Sequence, residues 1–199
     1  MISFTNEYLI ESMTILSALS RYDVENLVHI LSEIKKDNGR LFILGVGGSA
    51  GTASHAVNDF RKICGIETYT PTDNVSELTA RTNDEGFSTC FSEWLKISRL
   101  SEKDCLLILS VGGGNIEKNI SMNLVKSIDY ANEVGAKILG IVGRDGGYTK
   151  QKANACVLIP VLNSDRITPH TEGLASVVLH LIVSHPLLKT TQTKWESTK

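Results

Sequence analysis

Paired cysteines, strong net charge and long apolar runs are all missing from this sequence, and each absence excludes something. The four cysteines, Cys64, Cys90, Cys105 and Cys156, are scattered without C-x-x-C or zinc-finger spacing, so neither a disulfide framework nor a structural zinc fold is indicated. Cys105 and Cys156 lie in apolar runs and read as small core residues. With 20 Lys+Arg against 22 Asp+Glu, the formal net charge is −2. That balance gives no electrostatic reason to expect nucleic acid or an anionic membrane as partner. No apolar stretch approaches the ~20 residues of a membrane helix. The N-terminal "MISFTNEYLIESM" carries acids where a secretory leader would carry bases and a long apolar stretch. A soluble, cytoplasmic protein is expected. Its 199 residues, 42% of them hydrophobic, suffice for one core without metal or disulfide staples.

What is present divides into two textures. Residues 6–18 and 23–36 show apolar positions at helical spacing, and "DNG" stops the second run. His29 sits among apolar neighbours there and reads as a packed histidine. From Arg40 onward, short continuous apolar runs recur: "RLFILGV", "IETYT", "DCLLILSV", "AKILGIVG" and "ACVLIPV". Unbroken runs of this kind suit strands covered on both faces. The segments between them, such as 115–134, are long enough for helices, so the alternation predicts a parallel sheet with right-handed crossovers. A last helix is expected over 171–185, beyond Pro169 and ending at Pro186. One domain is expected: N-terminal helices over 1–37, an α/β core over 38–188 and a polar, mobile tail over 189–199.

Three glycine-rich turns fall where strands end: "GVGGS" (45–49), "SVGGGN" (110–115) and "GRDGG" (143–147). In open parallel sheets, ligands bind at such ends. Glycine permits positive φ and a close backbone approach, and a following helix N-terminus favours an anion. The first two turns, each expected to open a helix, predict a phosphate or sugar-phosphate site; the third reads as a simple turn. A nucleotide site fits poorly. No Lys-Ser/Thr follows the first loop, Ala50 stands where G-x-G-x-x-G ends, and no acidic residue clearly marks a second strand end.

The stretches "LGVGGSAGTASHAVNDF", "NVSELTARTNDEGF", "LILSVGGGN" and "DRITPHTEGLASVVLHLIV", in that order, resemble the sugar isomerase (SIS) domain, and within it the phosphoheptose isomerases. The resemblance runs from Glu7 to about Leu188. It implies a three-layer α/β/α sandwich around a five-stranded parallel sheet. It also implies a homotetramer with active sites between subunits, bound zinc, and conversion of D-sedoheptulose 7-phosphate to D-glycero-D-manno-heptose 7-phosphate. Gly47, Gly48 and Ser49 match the family's "GNGGS" and become substrate-binding candidates, with Asn83 and Asp84 on its "ND" pair. Ser110, Val111, Gly112 and Asn115 fall on its "STSGNS" phosphate loop. Val111 and Gly112 replace Thr and Ser there, removing two hydroxyls, and Val46 replaces an asparagine.

The family carries a histidine and a glutamate four residues apart after its first loop; here these positions are His55 and Asp59. Such i, i+4 spacing puts both on one helix face, within reach of one cation. The last helix supplies Glu172 and, eight residues on, His180, with Thr168 and His170 as alternatives to Glu172. The implied metal ligands are His55, Asp59, Glu172 and His180, with Asp59 and His180 as catalytic residues and Glu172 also near substrate. Glu77 and Arg81 project toward the same cleft without a firm role, and His185 reads as a helix-end residue. Two rival readings stand beside this one: an isomerase of another sugar phosphate, and a sugar-phosphate-binding module without catalysis.

Overall fold

The computed structural model describes residues 3–198, apart from the Trp195 side chain. Residues 1–2 and 199, at the ends of the expected helical region and tail, lie outside them. Two helices, α1 (Phe4–Ala18) and α2 (Arg21–Lys36), open the chain; each is capped by a serine, Ser3 and Ser20, whose side chain accepts an amide of the first turn. Then follow β1 (Leu41–Leu44), α3 (Gly48–Lys62), β2 (Thr68–Tyr69), α4 (Val75–Asp84), α5 (Cys90–Ile97), β3 (Cys105–Ser110) and α6 (Met122–Glu133). The chain continues through β4 (Lys137–Val142), α7 (Gly147–Lys152), β5 (Ala155–Leu158), α8 (Ile167–Ser184) and α9 (Lys194–Ser197).

The five strands form one parallel sheet in the order β2-β1-β3-β4-β5. Alternate residues of each strand serve opposite faces. Ile43, Leu107, Leu109 and Ile141 join one apolar cluster with α2, α3 and α8. Phe42, Leu106, Ile108 and Ile138 join a second with α5 and α6. That is why the strand runs are unbroken: every β1 side chain is buried. Truncating one such residue, for example Leu107→Ala, removes the order of 2–5 kcal/mol. The three-layer sandwich expected from the sequence is what forms.

Three local expectations are corrected. The helix expected from residue 115 starts only at Met122. Asn115 and Ile120 instead exchange backbone hydrogen bonds, both 2.9 Å, while Asn115 Oδ1 accepts the Lys118 amide at 2.7 Å. An asparagine that hydrogen-bonds its own neighbourhood offers the backbone an alternative to helix, and Ser121 leaves the turn in the left-handed region, at φ 52°. The second glycine loop therefore does not open a helix directly. The last helix begins at Ile167, before Pro169; proline is tolerated there because first-turn amides need no intrahelical acceptor. The tail also starts pinned: the Thr190 and Thr191 amides both donate to the Ile63 carbonyl.

α1 is fastened to the start of α8 by charge. Arg166 Nε and one of its terminal nitrogens each donate to Glu11, both at 2.8 Å. His170, buried, meets Glu11 Oε2 at 2.9 Å and stacks on Tyr8 with ring centroids 4.4 Å apart. Arg166 first, then His170, pulls the Glu11 carboxyl down from 4.5 to about 2. A depressed carboxyl contributes stability above its unfolded value and loses it as pH falls through the folded one. Glu11→Gln is therefore expected to lower Tm at pH 7, with the gap from the parent closing between pH 4.5 and about 2 in a calorimetric pH series.

Candidate active site

The strand order reverses between β1 and β3: the chain passes from β1 to β2 on one side and from β3 through β5 on the other. The loops leaving the C-terminal ends of those two strands flank a crevice, the usual ligand position in an open α/β sheet. Gly47, at φ +62°, turns the chain from β1 directly into α3. Ser49 is buried in the helix's first turn. Gly48 answers to a second constraint. A Cβ there would meet Glu172 Oε2 at 2.5 Å, so the α8 carboxylate lies directly on the loop.

Farther along α3, His55 and Asp59 share the face turned to α8, and His180 reaches them from the other side. Asp59 Oδ2 lies 3.1 Å from His55 Nε2 and 3.6 Å from His180 Nε2. The two imidazoles meet edge to face with centroids 5.2 Å apart. Asp59 is the inner member, its side chain 13% exposed against 60% and 57% for the two histidines. Its other oxygen accepts from Asn58 Nδ2 at 2.9 Å. Thr52, Ala56, Ser176, Leu179 and Val183 complete the gap between the helices. One ligand atom from each of His55, Asp59 and His180 lies within 4.8 Å of the others. Two imidazole nitrogens and a carboxylate oxygen, open to solvent on one side, form a donor set that suits zinc with a position left for substrate.

Glu172 is placed differently. It shares a helix with His180 but is eight residues earlier, about 12 Å along the axis at 1.5 Å per residue. Its carboxylate rests against Gly48 at the loop, outside the group of three donors found among the described residues. His170, the alternative ligand, is spent on Glu11 and Tyr8. Thr168 falls in the first turn of α8. Asn83 and Asp84 stand exposed at the end of α4, the Asn83 amide donating to Asp84 at 2.8 Å. Glu77 and Arg81 pair with each other at 2.9 Å. His185 follows the last residue of α8 and faces Glu25 at 3.4 Å.

The loop after β3 is largely self-satisfied. Ser110 Oγ accepts the Gly113 amide at 3.0 Å. The Gly113 carbonyl takes the Thr149 amide and hydroxyl, and the Gly114 carbonyl takes the Tyr148 amide. The start of α7 is thus filled by loop carbonyls, which accounts for "GRDGG" as a packing turn. Asn115 closes the turn to Ile120. Sequence reasoning missed a cavity of about 240 Å³ beside this turn, lined by Val46, Phe87, Ser88, Asn119, Ser121, Met122 and Asn123. The available signal was "SMN" at 121–123, a polar start to the helical pattern that follows.

A family model described as the SIS domain matches residues 6–143. The phosphoheptose isomerase of Helicobacter pylori strain P12 is 30% identical over 162 residues, covering 78% of each chain. The lincomycin biosynthesis protein LmbN of Streptomyces lincolnensis is 34% identical over 158 residues, covering 74% of this chain and 56% of that protein. Among solved structures, the phosphoheptose isomerase GmhA from Neisseria gonorrhoeae superposes with a TM-score of 0.76 at 21% identity, covering 90% of this chain and 95% of that one.

Proposed function

The chain belongs to the SIS domain family, and we propose that it is a phosphoheptose isomerase that interconverts D-sedoheptulose 7-phosphate and D-glycero-D-manno-heptose 7-phosphate. The observation that carries this reading is the Asp59 carboxylate held between His55 and His180, on α8 and on α3, which begins at the crevice loop after β1. Zinc bound by His55, Asp59 and His180 would supply positive charge where the C1 and C2 oxygens gather negative charge, with Glu172 held at the Gly48 loop and outside the ligand set.

The chain's own residues perform the proton transfers. Asp59 takes a proton from C1 of the open-chain ketose and returns it to C2. His180 carries a proton from the C1 oxygen to the C2 oxygen. The net result moves one hydrogen from C1 to C2 and one from oxygen to oxygen, leaving an aldehyde at C1. Gly47, Gly48 and Ser49 present backbone amides at the α3 N-terminus to substrate oxygens, where helix geometry favours negative charge. Glu172, lying on that loop, orients substrate hydroxyls. Asn83, Asp84 and the 110–115 loop complete the rim.

Assembly into a homotetramer with sites between subunits fits the outer surface of the N-terminal region. Leu9, Met13 and Leu16 follow one another at i, i+4 and i+7 on α1 and are exposed, as are Val177 and Leu181 on α8. A groove between α1, α2 and α8 is lined by Leu16, Leu19, Val24, Val177, Val178 and Leu181, with Arg21 and Glu25 among them. An exposed apolar patch edged by charge is the usual form of a contact site. Among the described residues no helix is long and apolar enough to cross a membrane, which agrees with a cytoplasmic enzyme of sugar-phosphate metabolism.

The turn over 115–120 and the exchanges at Val46, Val111 and Gly112 favour a second reading, an isomerase of a different sugar phosphate. Incubation with zinc and sedoheptulose 7-phosphate, followed by detection of the aldose, separates the two. Aldose formation is expected. No turnover with that ketose, and turnover with another ketose phosphate, would transfer the assignment to the second reading.

A further inference from the structure

The two oxygens of Asp59 have different partners. Oδ2 lies 3.1 Å from His55 Nε2 and 3.6 Å from His180 Nε2, whereas Oδ1 accepts from Asn58 Nδ2 at 2.9 Å. Adjacent residues of a helix point about 100° apart and do not face each other. The bond between Asn58 and Asp59 therefore forms only because both side chains swing together across the surface of α3. An aspartate carboxylate left alone turns readily about χ2, whose profile is broad and two-fold. Held by Asn58, it keeps one plane, with Oδ2 toward the imidazoles.

We propose that Asn58 is the positioning residue of this centre: its amide pins Oδ1, so that Oδ2 alone faces the ion and the substrate carbon. Three observations agree. Asn58 is exposed and stands apart from the residues that α3 buries, Ser49, Ala53, Ala56, Val57 and Phe60, so core packing does not account for its contact with Asp59. Asp59 is the inner member of the group, 13% exposed between histidines at 60% and 57%, so the plane of its carboxylate decides where an ion sits. The restraint is a neutral amide, which holds the carboxylate without the positive charge by which a lysine or arginine would compete with a metal. One oxygen spent on Asn58 also keeps the carboxylate from taking two positions on the ion, leaving room for substrate oxygens. Outer partners that hydrogen-bond a ligating carboxylate are worth roughly ten- to a hundredfold in metal affinity or activity.

The proposal rests on the zinc isomerase reading given above, but its first readout is metal binding rather than turnover. Zinc affinity is measured by competition with a chromogenic chelator for the full chain, Asn58→Leu and Asn58→Gln. Leucine keeps the shape of the side chain and removes the donor; glutamine keeps the donor on a longer stem. Asn58→Leu is expected to weaken zinc binding about tenfold and, at saturating zinc, to lower kcat about tenfold with little change in KM. Circular dichroism and Tm should stay at the parent's values, because the side chain is exposed. Asn58→Gln should recover part of both losses. The same exchange is then made in an Asp59→Glu background, where the carboxylate is carried one methylene away from Asn58. There Asn58→Leu should change neither quantity, as a double-mutant cycle on a single contact requires. A parent that binds no zinc, unchanged zinc affinity in Asn58→Leu, or an equal loss in the Asp59→Glu background each overturns the proposal. If zinc binding weakens as expected while no ketose phosphate is isomerised, Asn58 keeps its role at the ion and the isomerase reading fails.

Discussion

Asp59→Asn is expected to abolish isomerisation, lowering kcat by at least roughly a thousandfold, in line with removal of a general base. The amide has nearly the shape of the carboxylate but cannot accept a proton from carbon. It can still occupy the position between His55 Nε2 and His180 Nε2, so the fold should be retained. Because Asp59 is also a candidate ligand, the assay is run at saturating zinc. Loss of activity at full zinc occupancy then reports the proton transfer itself. Asp59→Glu supplies the complementary case. It keeps the charge and moves it outward by one methylene, a displacement of order 1 Å that can cost about a hundredfold when proton transfer depends on position. A partial loss in Asp59→Glu beside a near-complete loss in Asp59→Asn would separate charge from geometry. Full activity in Asp59→Asn would remove Asp59 from the reaction.

The second large effect concerns the ion. His180→Ala and His55→Ala are each expected to strip zinc from the chain, weakening its binding by roughly a hundredfold or more, since even supporting contacts around a metal ligand are worth ten- to a hundredfold. Both side chains are more than half exposed, so their removal leaves no core cavity and should change stability by no more than about 0.5 kcal/mol. Metal content by plasma emission and Tm by calorimetry, on the same preparations, check both statements. A mainly structural histidine would produce the opposite pattern, with Tm falling and zinc unchanged. Each pair of measurements therefore discriminates a ligand from a packing residue.

Much of this centre was legible because helical spacing is a local property. His55 and Asp59 at i, i+4 had to share a face once α3 formed, and the glycines before them fixed where α3 begins. The strands were legible for a related reason: residues buried on both faces leave a continuous apolar run, as in "LFIL". What escaped depended on distant partners. His170 offered the same chemistry as His180 on the same helix, yet its ring is claimed by Glu11, 159 residues away in the chain. The late start of α6 follows from Asn115 bonding to Lys118 and Ile120 rather than continuing a helix, a competition that periodicity does not register. Glu172 lay on the expected face of α8, but two turns of helix set it against Gly48 rather than beside Asp59. Spacing fixes angular position, but about 12 Å of axial rise separates the two groups, more than a glutamate side chain can span.

The most direct test is anomalous scattering at the zinc edge from crystals of the chain grown with zinc. One peak per chain is expected, about 2.0–2.2 Å from His55 Nε2, an Asp59 oxygen and His180 Nε2. A peak seated elsewhere, with these three side chains bound only to one another in a preparation that turns over sedoheptulose 7-phosphate, would contradict the account.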